Sequence, residues 1–277
     1  MGRITVKDIL SKKSKAKITM LTCYDYSFAK ALDEAGLDMI LVGDSLANVV
    51  LGMQETRRVS LREMINHTKA VSLAVEKSLV VADMPYVSYQ KNPKKCVENA
   101  KKFVSAGAGA VKIEWFKDCV SVVKKLIKAK IPVMGHIGLT PQTAHLLGGY
   151  KVQGKTKESA YKLVKQAKVL QDLGVFSIVL ECIPAQLAGL ITEHLKVPTI
   201  GIGAGRHCDG QVLVLYDLLG LYKKVTPKFV RVYRDLFSEI KDTTAKFIAE
   251  TRHGRFPAKE ESFFMKEEEW EIFKKIV

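Results

Sequence analysis

Short apolar runs rich in Val and Ile recur along the chain, separated by longer stretches whose apolar positions follow a helical period. The runs at 18–22, 39–43, 79–83, 110–114, 133–136, 177–181, 199–202 and 211–215 are continuous rather than alternating, which predicts strands buried on both faces of a parallel sheet. Helical periodicity over 27–35, 61–76, 93–105, 117–128, 157–173, 185–194 and 227–250 predicts the intervening helices, and Gly36, Gly107 and Gly174 stand where helices commonly stop. The strand-helix alternation repeats about eight times without a linker or a break in composition, so a single α/β domain is expected, a (β/α)8 TIM barrel rather than an open doubly wound sheet. A length of 277 residues suits this, since such barrels use roughly 35 residues per unit. The barrel is assigned to residues 1–264. The remainder, 265–277, opens with Lys266-Glu267-Glu268-Glu269-Trp270 and is read as a charged, amphipathic C-terminal extension.

With 47% hydrophobic and 26% charged residues the chain can build a packed core, which excludes disorder for most of it. Apolar runs fall well short of the roughly 20 residues that cross a bilayer, and the Lys-rich start has no apolar segment behind it, so a cytoplasmic protein with no membrane partner is expected. The five cysteines are far apart and form no C-x-x-C pair, which argues against a disulfide framework or a thiolate zinc site. A net charge of +15 raises nucleic acid as a partner, and a basic RNA-binding protein is the alternative of another class. The lysines, however, are spread over most of the expected helices and are not interleaved with aromatics. A solvated surface that attracts anionic small molecules, with no nucleic-acid partner, is the expectation.

Barrel active sites form at the C-terminal ends of the strands. Here those ends carry Asp44-Ser45, Asp83, Lys112-Ile113-Glu114, His136, Glu181 and a glycine-rich run, Gly201 to Gly205. Each alone has a plain structural explanation: an Asp after a strand often caps the next helix, and a histidine beside an apolar strand is commonly a satisfied structural group. Gly201 to Gly205 lacks a full G-x-G-x-x-G and predicts no dinucleotide site. Four carboxylates, a lysine and a histidine at the ends of successive parallel strands change the balance, because converging charges are costly to desolvate unless an ion or ligand organises them.

Asp44, Asp83 and Glu114 offer hard oxygen ligands, the chemistry of Mg²⁺. Lys112 and Glu114, two apart on one strand, share a face, so Lys112 can counter a substrate carboxylate or enolate. Glu181 remains as a base, and His136 is expected to hydrogen-bond the substrate or a neighbouring site residue. The longest connections, 45–60 and 137–156, both leave strand C-termini, where binding loops belong.

Several segments, taken in order, resemble the 3-methyl-2-oxobutanoate hydroxymethyltransferase (ketopantoate hydroxymethyltransferase) family over residues 4–263. They are Met20-Leu21-Thr22-Cys23-Tyr24-Asp25-Tyr26, Leu41-Val42-Gly43-Asp44-Ser45, Ala82-Asp83-Met84-Pro85, Val111-Lys112-Ile113-Glu114 and Gly135-His136-Ile137-Gly138-Leu139-Thr140-Pro141-Gln142. Leu180-Glu181-Cys182-Ile183-Pro184-Ala185, Gly201 to Gly205 and Cys208-Asp209-Gly210-Gln211 complete the set. Departures flank these positions: Ala47 replaces the usual glycine after Ser45-Leu46, Trp115-Phe116 replaces Gly-Gly after Glu114, and Val87 stands where a glycine is usual.

The resemblance implies a one-carbon transferase of pantothenate biosynthesis. It would move a hydroxymethyl group from 5,10-methylenetetrahydrofolate, as co-substrate, to 3-methyl-2-oxobutanoate, giving 2-dehydropantoate, with one Mg²⁺ per subunit. It also implies Asp44, Asp83 and Glu114 as metal ligands, Ser45 and Lys112 with Asp44 and Asp83 as oxoacid contacts, and Glu181 as proton acceptor. A homo-oligomer, a decamer in many members, is implied as well. The nearest alternative enzyme is a metal-dependent lyase or mutase of the phosphoenolpyruvate mutase and isocitrate lyase type, which is similar around Gly43-Asp44-Ser45; the Lys-Lys-Cys-Gly-His setting of those lyases is missing here.

Overall fold

The structure, a computed structural model, describes residues 2–224 and 226–277. Eight parallel strands close into a barrel in sequence order: β1 (Ile18–Thr22), β2 (Met39–Val42), β3 (Leu79–Asp83), β4 (Ala110–Glu114), β5 (Val133–Gly138), β6 (Ser177–Glu181), β7 (Thr199–Ile202) and β8 (Gly210–Leu213). Helices between successive strands from β1 to β7 cover the outside, and a helix-free loop joins β7 to β8, so the expected (β/α)8 barrel is found with one connecting helix missing.

Strand alternation sorts the side chains into two cores. Met20, Met39, Leu41, Leu79, Val81, Ala110, Met134, Val179, Ile200 and Val212 fill the barrel interior. Residues of the other parity, among them Ile40, Val42, Val80, Val111, Ile113 and Leu180, pack against the outer helices. Both faces of β2 to β6 are thus dry, which is why these strands read as continuous apolar runs, whereas Thr19 of β1 and Gln211 of β8 are exposed.

Two ends of the chain differ from the sequence expectation. A helix at Val6–Ser11, held by a Thr5–Asp8 capping box, plugs the N-terminal end of the barrel with Ile9. It is fastened there by the Lys13–Asp209 ion pair and by Lys12 against Asp38. The helix expected over 227–250 begins only at Leu236 and runs to Arg252. Upstream of it, the Tyr233 and Leu236 amides donate to the Leu218 and Leu219 carbonyls instead of to a preceding turn, and Asp235 caps the new helix through the Ser238 amide. None of the residues of Leu236–Arg252 is buried.

Candidate active site

The residues expected at the site converge on one mouth of the barrel. Inter-strand register sets Asp83 beside Lys112, Glu114 beside His136 and Gly138 beside Glu181. All are at inward-facing positions, one step above the apolar interior layers. Asp44, two residues past the end of β2, joins them through its amide, which donates to Asp83 Oδ2 at 3.0 Å. Neither carboxylate caps a helix: the helices after them, Leu46–Val49 and Tyr86–Tyr89, have no side-chain cap. The plain reading of these two Asp residues therefore fails.

Charge is tightly paired. Lys112 Nζ lies 2.8 Å from Asp83 Oδ1 and 3.2 Å from His136 Nδ1. An ammonium can only donate, so His136 Nδ1 accepts and the ring proton sits on Nε2, 3.2 Å from Glu181 Oε2. Burial, followed by the Lys112 charge, holds the imidazole well below its usual pKa, which keeps it neutral. Burial opposes the charge on Lys112 itself, but Asp83, Asp44 and Glu114 outweigh it and raise its pKa.

The carboxyls separate by environment. Burial pushes Asp83 up to about 6 against the pull of Lys112. Burial, then the nearby Asp44 charge, carries Glu114 well above the carboxylate range. Glu181 is raised to about 7 by burial, with Lys112 opposing. Its side chain retains 16% exposure against 1% for Glu114, so Glu181 is the carboxyl that a substrate can reach.

The donor set fits a hard divalent cation. Glu114 Oε1 is buried without a hydrogen-bond partner, whereas Asp83 Oδ1 is held by the Lys112 ammonium at 2.8 Å. Among the described residues no group of three or more His, Cys, Asp or Glu side chains is placed to hold a metal ion by itself. A Mg²⁺ here would take one or two of these carboxylates directly and reach the third through a water it retains.

Three supporting residues were not singled out by the sequence reading. The Tyr24 hydroxyl bonds both Thr22 Oγ1 and Ser45 Oγ, at 2.8 and 2.7 Å, and so fixes the Ser45 hydroxyl. Tyr89 and Gln142 lie behind Asp44 and Glu114; the signal for Gln142 was its place in the long loop after β5. That loop is not plain coil: Pro141–Leu147 is a 3₁₀ turn with Gln142, Thr143 and Ala144 buried. The loop after β2 likewise contains the helix Leu46–Val49 and a 3₁₀ turn at Thr56–Arg58. Beside these loops a cleft of ≈ 540 Å³ opens between Tyr86, Gln90, Trp115, Phe116, Thr140 and Lys162.

A closed (β/α)8 barrel whose C-terminal mouth gathers paired carboxylates, a lysine and a neutral histidine defines a barrel enzyme. The chain belongs to the ketopantoate hydroxymethyltransferase family, which it matches over residues 3–259. It is 53% identical over 270 residues to the 3-methyl-2-oxobutanoate hydroxymethyltransferase of Syntrophomonas wolfei, covering 97% of this chain and 98% of that one. The same enzyme of Caldicellulosiruptor saccharolyticus is 50% identical, covering 95% and 100% of the two chains. Among solved structures, phosphoenolpyruvate phosphomutase from Streptomyces platensis superposes with a TM-score of 0.62 at 13% identity, covering 98% and 96%. Phosphonopyruvate hydrolase, in complex with oxalate and Mg²⁺, gives 0.61 at 12% identity, covering 98% and 95%. At such low identity these two share the fold with this chain and nothing more.

Proposed function

We propose that this chain transfers a hydroxymethyl group from 5,10-methylenetetrahydrofolate to 3-methyl-2-oxobutanoate, giving 2-dehydropantoate. The observation that carries the reading is the reachable Glu181 carboxyl, backed by neutral His136, at the same barrel mouth as the Asp44, Asp83 and Glu114 oxygens. Asp44, Asp83 and Glu114 would hold one Mg²⁺ per subunit, and the partnerless Glu114 Oε1 supports this. When bound, that cation supplies stabilisation of the negative charge that enolisation places on the keto oxygen.

The chain's own residues do the rest. Lys112 places a fixed positive charge beside Asp83 for the oxoacid's negative oxygens, and Ser45, oriented by Tyr24, offers a hydroxyl to the same substrate. Glu181 accepts the C3 proton, and the C3–H electron pair becomes the enolate double bond. C3 then attacks the folate methylene carbon as one of its two C–N bonds breaks, and water displaces the second nitrogen, so that the water oxygen becomes the product hydroxyl and tetrahydrofolate leaves with the C3 proton and one water proton on its two nitrogens. His136 presents its neutral Nε2–H 3.2 Å from Glu181 Oε2, with no hydrogen bond formed between them. The adjoining cleft, walled by Tyr86, Trp115 and Phe116 and edged by Lys162, suits a flat conjugated ring with an acidic tail, and we assign it to the folate.

The partners are then small molecules, with no nucleic acid or membrane among them; no described helix is long and apolar enough to cross a bilayer. A cytoplasmic homo-oligomer, a decamer as the family resemblance implies, completes the proposal. Its test is proton exchange at C3 of the oxoacid in D₂O with Mg²⁺ present, followed by NMR. Glu181→Gln should abolish the exchange while metal and oxoacid still bind; exchange at the wild-type rate in this variant would remove Glu181 from the base role.

A further inference from the structure

Gln142 is 1% exposed and makes five hydrogen bonds. Its Nε2 donates to Asp44 Oδ2 at 2.9 Å and to the Met84 carbonyl at 3.0 Å. Its Oε1 accepts from the Tyr89 hydroxyl at 2.8 Å and from Gln90 Nε2 at 3.0 Å. Its backbone amide donates to Glu114 Oε2 at 3.1 Å.

A primary amide has two donors and two acceptor lone pairs, and here all four are used. The orientation is forced, because a flipped amide would set its oxygen against the Asp44 carboxylate and the Met84 carbonyl, neither of which can donate. Tyr89 completes the bracket: its hydroxyl also accepts the Glu114 backbone amide at 3.0 Å. One residue of the β5 loop therefore engages an oxygen on each of two carboxylates from different strands, and its partner tyrosine fixes the backbone of one of them. On Glu114 the consequence is visible: Oε2 is tied to Gln142, and Oε1 is left with no partner.

We infer that Gln142 is a positioning residue. It occupies one oxygen of Asp44 and one of Glu114 so that the second oxygen of each stays free to face a divalent cation, and it thereby links cation binding to the order of the loop at 138–156. This rests on the assignment of Asp44 and Glu114 as metal ligands. Residues that orient ligating carboxylates in this way commonly govern metal affinity by about 10–100-fold.

The test is direct Mn²⁺ binding by electron paramagnetic resonance, with hydrogen-deuterium exchange of the loop as a second readout; neither needs turnover. Gln142→Met keeps the length and removes all four side-chain hydrogen bonds; it should lower the melting temperature and weaken Mn²⁺ binding at least tenfold at temperatures where the variant remains folded. In the wild type Mn²⁺ should slow amide exchange across 138–156, and in the variant that protection should disappear. Should Gln142→Met fold poorly, Tyr89→Phe decides: it removes only the hydroxyl that bonds Gln142 and the Glu114 amide, and should weaken Mn²⁺ binding several-fold. A well-folded variant binding Mn²⁺ within twofold of the wild type overturns the role of Gln142 and leaves the metal assignment standing. Failure of the wild type to bind Mn²⁺ overturns both.

Discussion

Glu114 and Glu181 are the same residue type at the same barrel mouth, and their surroundings divide the work between them. Glu114 is sealed, with Oε2 held by the Gln142 amide, whereas Glu181 keeps some exposure beside a neutral imidazole. With its pKa at about 7, Glu181 is poised to exchange a proton near neutral pH. The rate of C3 deuterium exchange should therefore rise with pH through a midpoint near 7, as the carboxylate forms, and a flat profile from pH 6 to 8 would count against this base. The same shift costs stability. Between the ordinary value of 4.5 and about 7 the folded chain keeps a proton that the unfolded chain has released, so this group's contribution is present below the window and lost as pH rises through it. Glu181→Gln should then melt higher than the wild type at pH 8, by the equivalent of about 1–3 kcal/mol, and the difference should close at pH 4. Calorimetry at the two pH values checks it.

The strands were legible in the sequence because a barrel strand is buried on both faces, so its apolar run is uninterrupted until a polar residue reaches the rim. Asp83, Glu114 and Glu181 could be placed at strand ends for that reason. Elements whose form depends on distant partners were not legible. The Val6–Ser11 plug is short and reads only as a Lys-rich start until Asp38 and Asp209 are seen to face Lys12 and Lys13. The late start of Leu236–Arg252 depends on carbonyls of Leu218 and Leu219. Gln142 was visible only as part of a turn-rich loop, since its role arises from three strands meeting it in space. The turn that begins this loop is constrained too. Gly138 ends β5 at φ +96°, and a Cβ there would sit 2.2 Å from the Glu181 carbonyl oxygen and 2.8 Å from Ile183 Cγ2. Gly138→Ala should displace the β6 end that carries Glu181 and destabilise the fold by more than about 1 kcal/mol. Exchange activity should fall further than the melting temperature alone accounts for; a variant with wild-type exchange would show that the β6 end tolerates the shift.

At the scale of the molecule, the barrel is well packed up to β8 and the following arm is not. Phe237, Ile240, Phe247 and Ile248 lie along one side of Leu236–Arg252, each at least 40% exposed. An apolar stripe of this kind is unfavourable in water unless another surface covers it. The proposed homo-oligomer offers such a surface in a second copy of the chain. Net charge works the other way: 44 basic against 29 acidic residues make like copies repel, and salt screens that repulsion. Assembly driven by the apolar stripe should therefore tighten as ionic strength rises, whereas a complex of this basic chain with RNA would loosen, because added salt opposes counterion release. Introducing charge on the stripe with Ile240→Glu and Phe247→Glu should shift the light-scattering mass to a smaller species while the barrel, which these side chains do not enter, keeps its circular dichroism. An unchanged mass for the double variant, or a wild-type assembly that dissociates as salt is added, would show that the copies meet through some other face held by charge.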